Sequence, residues 1–185
     1  MFDRKGHRKY LNKAERRAFF MVAKKEPNRL RRAFCLTLYY TGCRISEALN
    51  LTVSQLDFAE KALVFETLKQ PEQGHFRSMP IPEGLVKLLA ALTKDASPSA
   101  RIWDFSRVTA WRLVKEKMRL AGISGTQACP KGLRHGFGVA CIGKAVPLTT
   151  VKKWLGHKRL ETTAIYLDVA GEEERELAKR IWYGG

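Results

Sequence analysis

The sequence predicts an α+β fold that is mostly helical and contains one small three-stranded antiparallel sheet. Three observations predict it: apolar residues recur at helical spacing over most of the chain, a short middle stretch changes to strand periodicity, and no internal repeat interrupts this order. The 185 residues, 45% of them hydrophobic, suffice for one domain with a sizeable core.

Three helices are predicted in the first quarter of the chain. Residues 11–25 carry apolar side chains at helical spacing, which indicates an amphipathic helix. Residues 30–40 are apolar almost all round, as is typical of a buried helix, and Gly42 suits the position just after its C-terminus. A short helix is predicted to follow at once, over residues 44–49.

The middle of the chain is predicted to form the sheet. Residues 53–58 and 62–68 have the composition of two strands joined by a tight turn. Turn-forming residues 70–74 then precede a third predicted strand over 76–81. Helical patterning resumes afterwards, and the predicted helices cover 82–92, 106–120, 131–143, 148–155, 161–167 and 172–182.

Positive charge is in large excess and is concentrated at the N-terminus. The chain has 34 Lys and Arg against 18 Asp and Glu, a formal charge of +16, and residues 1–32 alone hold 12 of these bases and 3 of these acids. This excess favours a polyanionic partner such as nucleic acid, with a membrane surface as the second candidate. A basic arm over residues 1–9 would gain from counterion release beside a phosphate backbone. A solvated helix face that improves solubility is the alternative.

The cysteines and the hydropathy pattern indicate in which compartment the protein works and whether it binds a metal or a membrane. Cys35, Cys43, Cys129 and Cys141 form no Cys-x-x-Cys pair and no zinc-ligand spacing, so we predict reduced thiols, with Cys35 in the core. No run of about 18 apolar residues exists, and residues 1–7 lack the apolar core of a signal peptide. We therefore expect a cytoplasmic protein that has no membrane partner, no cofactor and no metal.

Four cationic side chains stand at predicted element ends. Arg44 follows the predicted buried helix, and Lys69 ends a predicted strand at the mouth of a turn. Taken singly, each has an ordinary structural interpretation: Arg44 could bond nearby carbonyls, and Lys69 could be a solvated lysine. Lys131 and Arg134 lie three residues apart at the start of a predicted helix and therefore share a face.

A histidine and a tyrosine complete a recognisable pattern. His157 follows a glycine that ends a predicted helix, and Tyr166 lies nine residues later on a helix predicted to begin near residue 161. The pattern resembles the catalytic domain of tyrosine site-specific recombinases, the phage integrase family, from about residue 10 to residue 167. The matching stretches are Tyr39 to Leu51 with Arg44, the hairpin with Lys69, Lys131 to Phe137 with Arg134, and Trp154 to Leu167.

The resemblance implies a role for each residue. It implies that Arg44 and Arg134 grip the nonbridging oxygens of a DNA phosphodiester, with His157 as a further hydrogen-bond donor. It implies that Tyr166 is the nucleophile that forms a covalent 3′-phosphotyrosine, and that Lys69 protonates the leaving 5′ oxygen. The resemblance also implies that the covalent link keeps the bond energy, so resealing needs no ATP. Cationic side chains that neutralise the growing charge would allow cleavage without a metal ion.

Lys131 departs from the usual family pattern, which most often has histidine at this position. A protonated lysine cannot accept the tyrosine proton as a neutral imidazole could, so Lys131 is expected to act mainly as an electrostatic contact. His7, His75 and His135 have no metal-ligand partners at usable spacing. We expect His135 to face a different side of its helix from Arg134 and to have no part in the site.

The resemblance implies a DNA recombinase that cuts and rejoins strands at specific sites, for integration, excision, inversion or dimer resolution. A nicking-closing enzyme similar to type IB topoisomerases and a non-catalytic DNA-binding regulator with the recombinase fold are the alternatives. Residues 10–185 are expected to form a single catalytic domain that follows the basic arm, without the N-terminal core-binding domain of typical relatives.

The implied partners are double-stranded DNA and further copies of the chain. Typical relatives form a tetramer on DNA, and helix 172–182 is expected to dock on a neighbouring copy. The alternative is that this helix covers the core of its own chain. An accessory DNA-bending protein or a partner recombinase is a further expected partner. A protein with these partners is expected to associate with the nucleoid.

Overall fold

Helices build most of the molecule, which the computed structural model describes over residues 1–66, 76–168 and 172–183. The helices are α1 (Lys13–Lys24), α2 (Arg29–Thr41), α3 (Ile45–Leu49), α4 (Glu83–Thr93), α5 (Arg107–Leu120), α6 (Pro130–Gly143), α7 (Leu148–Leu155), α8 (Glu161–Ala164) and α9 (Glu172–Tyr183). The strands are β1 (Leu56–Asp57), β2 (Ala62–Glu66) and β3 (Phe76–Pro80). The predicted α+β class, mostly helical with a small sheet, is confirmed.

The ends of α1 and α2 are fixed by local chemistry. The side chain of Asn12 accepts the N–H of Glu15 at 2.8 Å, and the Glu15 carboxylate accepts the N–H of Asn12 at 2.9 Å, which forms a capping box at the start of α1. Helix α2 ends at Gly42, whose φ of 60° favours glycine. A Cβ at Gly42 would lie 2.6 Å from the ring of Phe137 on α6, so glycine also permits close helix packing.

The sheet has the order β1-β2-β3, and all neighbouring strands are antiparallel. Leu63 on β2 lies opposite both Leu56 on β1 and Met79 on β3. These three side chains are buried. Because side chains alternate between the faces of a strand, one face of the sheet packs against the helical core.

The predicted strand over 53–58 is wrong in its first half. Val53–Gln55 forms a 3-10 turn, and only Leu56–Asp57 pairs with β2. The N–H groups of Val53 and Ser54 donate to carbonyls in the loop before residue 101, at 3.0 and 2.8 Å, instead of to a strand. The strand tendency of this segment was therefore outweighed by the hydrogen bonds that it donates to a distant loop.

The predicted helix over 161–167 is shorter than expected. Helix α8 ends at Ala164, and the N–H of Tyr166 donates to the carbonyl of Thr163 at 3.0 Å. This contact to the third preceding residue tightens the chain into a turn. Tyr166 therefore lies in the turn after α8. The other predicted helices agree with the structure to within two residues.

The core is built around α2. Phe34 of α2 packs edge-on against Trp103 with ring centroids 5.3 Å apart, and Trp103 Nε1 donates to the carbonyl of Ala48 at 2.6 Å. Cys35 is completely buried, as predicted, and burial raises the pKa of its thiol to about 12. All four cysteines are free thiols.

The basic N-terminal segment folds back on itself and contacts the domain. Phe2 and Arg8 form an isolated β-bridge, and Arg8 binds the Glu15 carboxylate of α1 at 2.8 Å. The carbonyl of Arg8 also accepts the hydroxyl of Thr126 at 3.3 Å. Within the described ranges, no helix is both long enough and apolar enough to cross a membrane.

Close packing on α6 gives a prediction about Gly136. A Cβ at this position would lie 2.6 Å from the carbonyl oxygen of Leu11, a backbone atom that cannot rotate away. We expect Gly136→Ala to lower the free energy of unfolding by about 1–3 kcal/mol, measured by urea denaturation.

Gly84 on α4 provides the matched control, since a Cβ there would meet nothing within 4 Å. Gly84→Ala is expected to leave stability unchanged or to raise it by up to about 1 kcal/mol, because alanine loses less backbone entropy in a helix. Equal effects of the two substitutions would contradict the packing argument.

Candidate active site

Arg44 stands at the start of α3, directly after the turn that Gly42 makes possible. Its Nη1 donates to Oε1 of Glu47 at 2.5 Å, and its backbone N–H donates to Oε2 of the same carboxylate at 2.8 Å. The Arg44 side chain keeps 24% of its surface exposed. Glu47 thus orients a guanidinium that still reaches solvent.

Arg134 reaches the same place from α6. Its Nη1 donates to the carbonyl of Gly42 at 2.9 Å and its Nη2 donates to the carbonyl of Leu155 at 2.7 Å. Nη1 also lies 4.0 Å from Oε2 of Glu47. Burial first, and the charge of Arg44 second, lower the pKa of Arg134 to about 10, which leaves it cationic at neutral pH.

A third arginine, which the sequence pattern did not identify, shares this carboxylate. Arg77 on β3 donates to Oε2 of Glu47 at 2.7 Å and to the carbonyl of Trp154 at 2.9 Å. Its guanidinium lies over the ring of Phe65, 5.1 Å from the centroid. Burial opposes ionisation of Glu47, but Arg77 and Arg44 together hold the pKa of its carboxyl below the ordinary value.

His157 follows Gly156, which ends α7 with a φ of 63°. The Nδ1 atom of His157 lies 2.9 Å from the hydroxyl of Thr163, so the opposite ring nitrogen remains for another partner. Burial first, then the charges of Arg134 and Arg44, lower the pKa of His157 to about 3. The imidazole is therefore neutral near neutral pH.

Tyr166 is completely buried between α6 and His157. Its ring stacks on His157 with centroids 6.1 Å apart and an interplanar angle of 19°. A Cβ at Gly138 of α6 would lie 2.6 Å from the phenol ring, so glycine makes the space for it. Burial raises the pKa of Tyr166, while the charges of Arg134 and Arg44 act in the opposite direction.

His135 contacts the tyrosine, which corrects the expectation that it has no part in the site. Its Nδ1 lies 3.1 Å from Oη of Tyr166. Burial first, then the charges of Lys131 and Arg134, lower the pKa of His135 to about 4. Tyr166, in the turn after α8, thus places its hydroxyl beside α6.

The remaining predicted site residues are the two lysines. Lys131 is exposed in the first turn of α6, and its charge acts on His135. Lys69 lies outside the described residues. In the described part of the chain, no group of three or more His, Cys, Asp or Glu side chains is arranged to hold a metal ion.

The site therefore brings cations and neutral imidazoles around one phenol. Permanently charged guanidinium groups can bind the oxygens of a phosphate, and neutral imidazoles can donate or accept a proton. Such an arrangement is suited to attack by a tyrosine on an anionic phosphodiester.

The fold defines the class of the domain, since it is the fold of tyrosine recombinase catalytic domains. It is similar to the crystal structure of XerA recombinase, with a TM-score of 0.78 and 22% identity over 92% of this chain and 64% of that one. It is also similar to the catalytic domain of bacteriophage HP1 integrase, with a TM-score of 0.63 and 20% identity over 94% of each chain. The predicted tyrosine-recombinase-like fold is confirmed.

The protein belongs to the phage integrase family, whose family model matches residues 9–173. The sequence is 33% identical over 159 residues to tyrosine recombinase XerA of Pyrococcus furiosus, which covers 80% of this chain and 54% of XerA. It is 32% identical over 159 residues to tyrosine recombinase XerD of Yersinia pestis, which covers 79% of this chain and 52% of XerD. The chain spans about half the length of these relatives.

The buried carboxylate at the centre of the site gives a prediction about stability. Glu47→Gln removes the anion that compensates Arg44, Arg77 and Arg134, and uncompensated buried charges are strongly destabilising. We expect the free energy of unfolding to fall by about 3 kcal/mol, measured by urea denaturation.

Glu83 is the matched control, since its carboxylate binds Lys61 and Lys87 at the surface of the protein. Glu83→Gln is expected to change stability far less, because exposed ion pairs contribute little. A loss for Glu47→Gln no larger than that for Glu83→Gln would show that Glu47 does not hold the site together.

The neutral histidines predict a loss of stability in acid. Both have folded-state pKa values, about 3 for His157 and about 4 for His135, below the ordinary value of 6.5. Between the folded-state pKa of each histidine and its ordinary value, the unfolded chain binds a proton that the folded chain does not. The contribution of each neutral histidine to the free energy of unfolding is therefore complete above about pH 6.5 and is lost as the pH falls.

The free energy of unfolding is expected to change with pH by at most about 1.4 kcal/mol per pH unit for each histidine. Urea unfolding at a series of pH values measures this slope. His157→Gln should remove one of the two contributions and flatten the curve. A slope that is unchanged in this variant would contradict the assignment of a neutral buried imidazole at residue 157.

Proposed function

We propose that the protein is a site-specific DNA recombinase that cleaves and rejoins strands through a covalent 3′-phosphotyrosine on Tyr166. The observation that carries this proposal is the meeting of Arg44 and Arg134 at one buried carboxylate, with their charges acting on Tyr166. Family membership supports it, because the relatives include tyrosine recombinases.

DNA is the proposed substrate. XerH recombinase, similar in fold at a TM-score of 0.76 and 18% identity over 98% of this chain and 59% of that one, has been solved bound to its difH substrate. The formal charge of +16 supports the same class of partner here, because release of counterions from DNA favours binding of basic proteins. We further propose assembly of copies on DNA as a tetramer, with α9 docking on a neighbour.

The arginines are proposed to bind the scissile phosphate. Negative charge grows on the nonbridging oxygens as the tyrosine attacks, and a guanidinium can donate two parallel hydrogen bonds to such oxygens. Arg44 offers the solvent-facing group, and Arg134 offers a fixed charge behind it. Because both are held in place without DNA, little reorganisation is needed when charge develops.

His157 is proposed to add a hydrogen bond to the phosphate. If Thr163 donates its hydroxyl proton to Nδ1, the neutral ring carries its own proton on Nε2 and can donate it as a hydrogen bond. The contact with Thr163 thus selects the tautomer and the orientation of the donor.

Tyr166 is proposed to attack phosphorus. The new bond joins Oη to phosphorus, the bond from phosphorus to the 5′ oxygen breaks, and Lys69 protonates the 5′ oxygen as it leaves. Lys131 is proposed to add positive charge beside the site. Since Tyr166 is completely buried, the residues that cover it must shift before a phosphate can reach Oη.

Covalent trapping on DNA tests the proposal. Tyr166→Phe is first used to select bound duplexes from a random-sequence library, and the recovered sequence is then rebuilt with a nick beside each phosphate in turn. The unmodified protein is expected to form an adduct that survives denaturing electrophoresis, because the short nicked fragment diffuses away before it can be rejoined. Tyr166→Phe is expected to form none.

Tyr40→Phe is the matched control, since the Tyr40 ring packs against Phe20 and Tyr39 and has no proposed role in cleavage or assembly. It should form the adduct as the unmodified protein does. Selective binding without an adduct from any nicked duplex would instead support a DNA-binding regulator and would refute the proposed chemistry.

A further inference from the structure

The hydrogen bond between His135 and Tyr166 addresses a step that the proposed roles leave open. A phenol must lose its proton as it attacks, and none of Arg44, Arg134 and Lys69 accepts a proton while it is charged. The Nδ1 atom of His135 lies 3.1 Å from Oη of Tyr166, within the distance needed for direct proton transfer.

The other groups near the phenol are less suited to this step. Lys131 is exposed and carries three donors when protonated, with no acceptor. His157 stacks nearly parallel to the phenol ring, at 19°, and its Nδ1 is already bonded to Thr163. Its Nε2 is the proposed hydrogen-bond donor to the phosphate and then carries the ring proton, so neither nitrogen has a free lone pair for the phenol.

The surroundings of His135 keep it ready to accept. The residue is partly buried, and this burial together with the charges of Lys131, Arg134 and Lys9 disfavours its protonated form. A neutral imidazole whose Nε2 carries the proton presents a free lone pair at Nδ1, and a phenol is a good hydrogen-bond donor to it. The arrangement thus supplies an acceptor of the kind that Lys131 cannot provide.

We propose that His135 is the base that removes the proton from Tyr166 during cleavage, an inference that rests on the function proposed above. The residue touches the reacting oxygen, and its position follows from the burial of the tyrosine against α6.

The step balances in protons and bonds. As Oη bonds to phosphorus, its proton passes to Nδ1 of His135, and the 5′ oxygen leaves with a proton from Lys69. The growing bond to phosphorus makes the phenol proton more acidic, and the phosphate anion offsets the cations that keep His135 neutral. In rejoining, the 5′ hydroxyl attacks phosphorus and returns its proton to the neutral Lys69. The bond from phosphorus to Oη breaks, and His135 returns the other proton to the departing tyrosine oxygen.

Adduct formation on the nicked duplex, followed in time, tests the assignment with two variants. His135→Asn places an amide oxygen near the position of Nδ1 and can keep the hydrogen bond but cannot take the proton. We expect its cleavage rate to fall by about 10²–10⁴-fold, the usual contribution of general acid-base catalysis. Glu83→Gln, which changes an exposed carboxylate on α4 outside the proposed machinery, should cleave at the unmodified rate.

Chemical rescue separates a base from a structural support. His135→Ala leaves a space beside Oη. Added imidazole is expected to raise the cleavage rate of this variant at least about tenfold, in proportion to the concentration of the free base. Imidazolium at the same ionic strength should not rescue. Circular dichroism and urea unfolding establish that each variant is folded before its rate is compared.

The outcomes are distinct. A fall with His135→Asn together with rescue of His135→Ala by free-base imidazole supports the base role. A rate for His135→Asn within threefold of the unmodified rate, or a fall that imidazole does not rescue in folded His135→Ala, overturns it. Absence of an adduct from the unmodified protein would contradict the proposed function itself.

Discussion

A single buried carboxylate decides where three guanidinium groups lie. Arg44 comes from the start of α3, Arg77 from the sheet and Arg134 from α6, and like charges this close would repel one another without the anion of Glu47. Buried ion pairs gain little net stability, but removal of one partner leaves charges without compensation. The same constraint therefore joins three parts of the chain and fixes the cationic face that the proposed reaction uses.

The positive charge of the site also controls its imidazoles. Burial and the neighbouring arginines hold the pKa values of His157 and His135 far below the ordinary value, so both rings are neutral. Each ring has a different partner, since His157 contacts Thr163 and His135 contacts Tyr166. One environment can therefore support a hydrogen-bond donor to phosphate and a proton acceptor from the phenol.

The sequence was sufficient to predict the site residues that belong to spaced motifs. It was insufficient to predict those whose place in the site depends on packing between distant parts of the chain. Arg134 and Tyr166 were identified by their spacing and do lie together. Arg77 was missed because nothing in the local sequence distinguishes it from an ordinary arginine on a strand. Its role depends on the contact with Glu47, 30 residues earlier in the chain. His135 was set aside because it would face a different side of its helix from Arg134, whereas the fold brings the Tyr166 hydroxyl to it, which its position on the helix could not show. Glu47 had a detectable local signal, its position three residues after the helix start at Arg44, which is that of a capping box.

The two carbonyls that Arg134 binds make its alignment depend on the ends of two helices. Gly42 ends α2 and Leu155 ends α7, so the guanidinium is aligned only while both helix ends are in place. A molecule in which either end has frayed loses the alignment before it loses the rest of its fold. Under the proposed function, partial opening by heat or strain therefore yields a protein that no longer cleaves DNA.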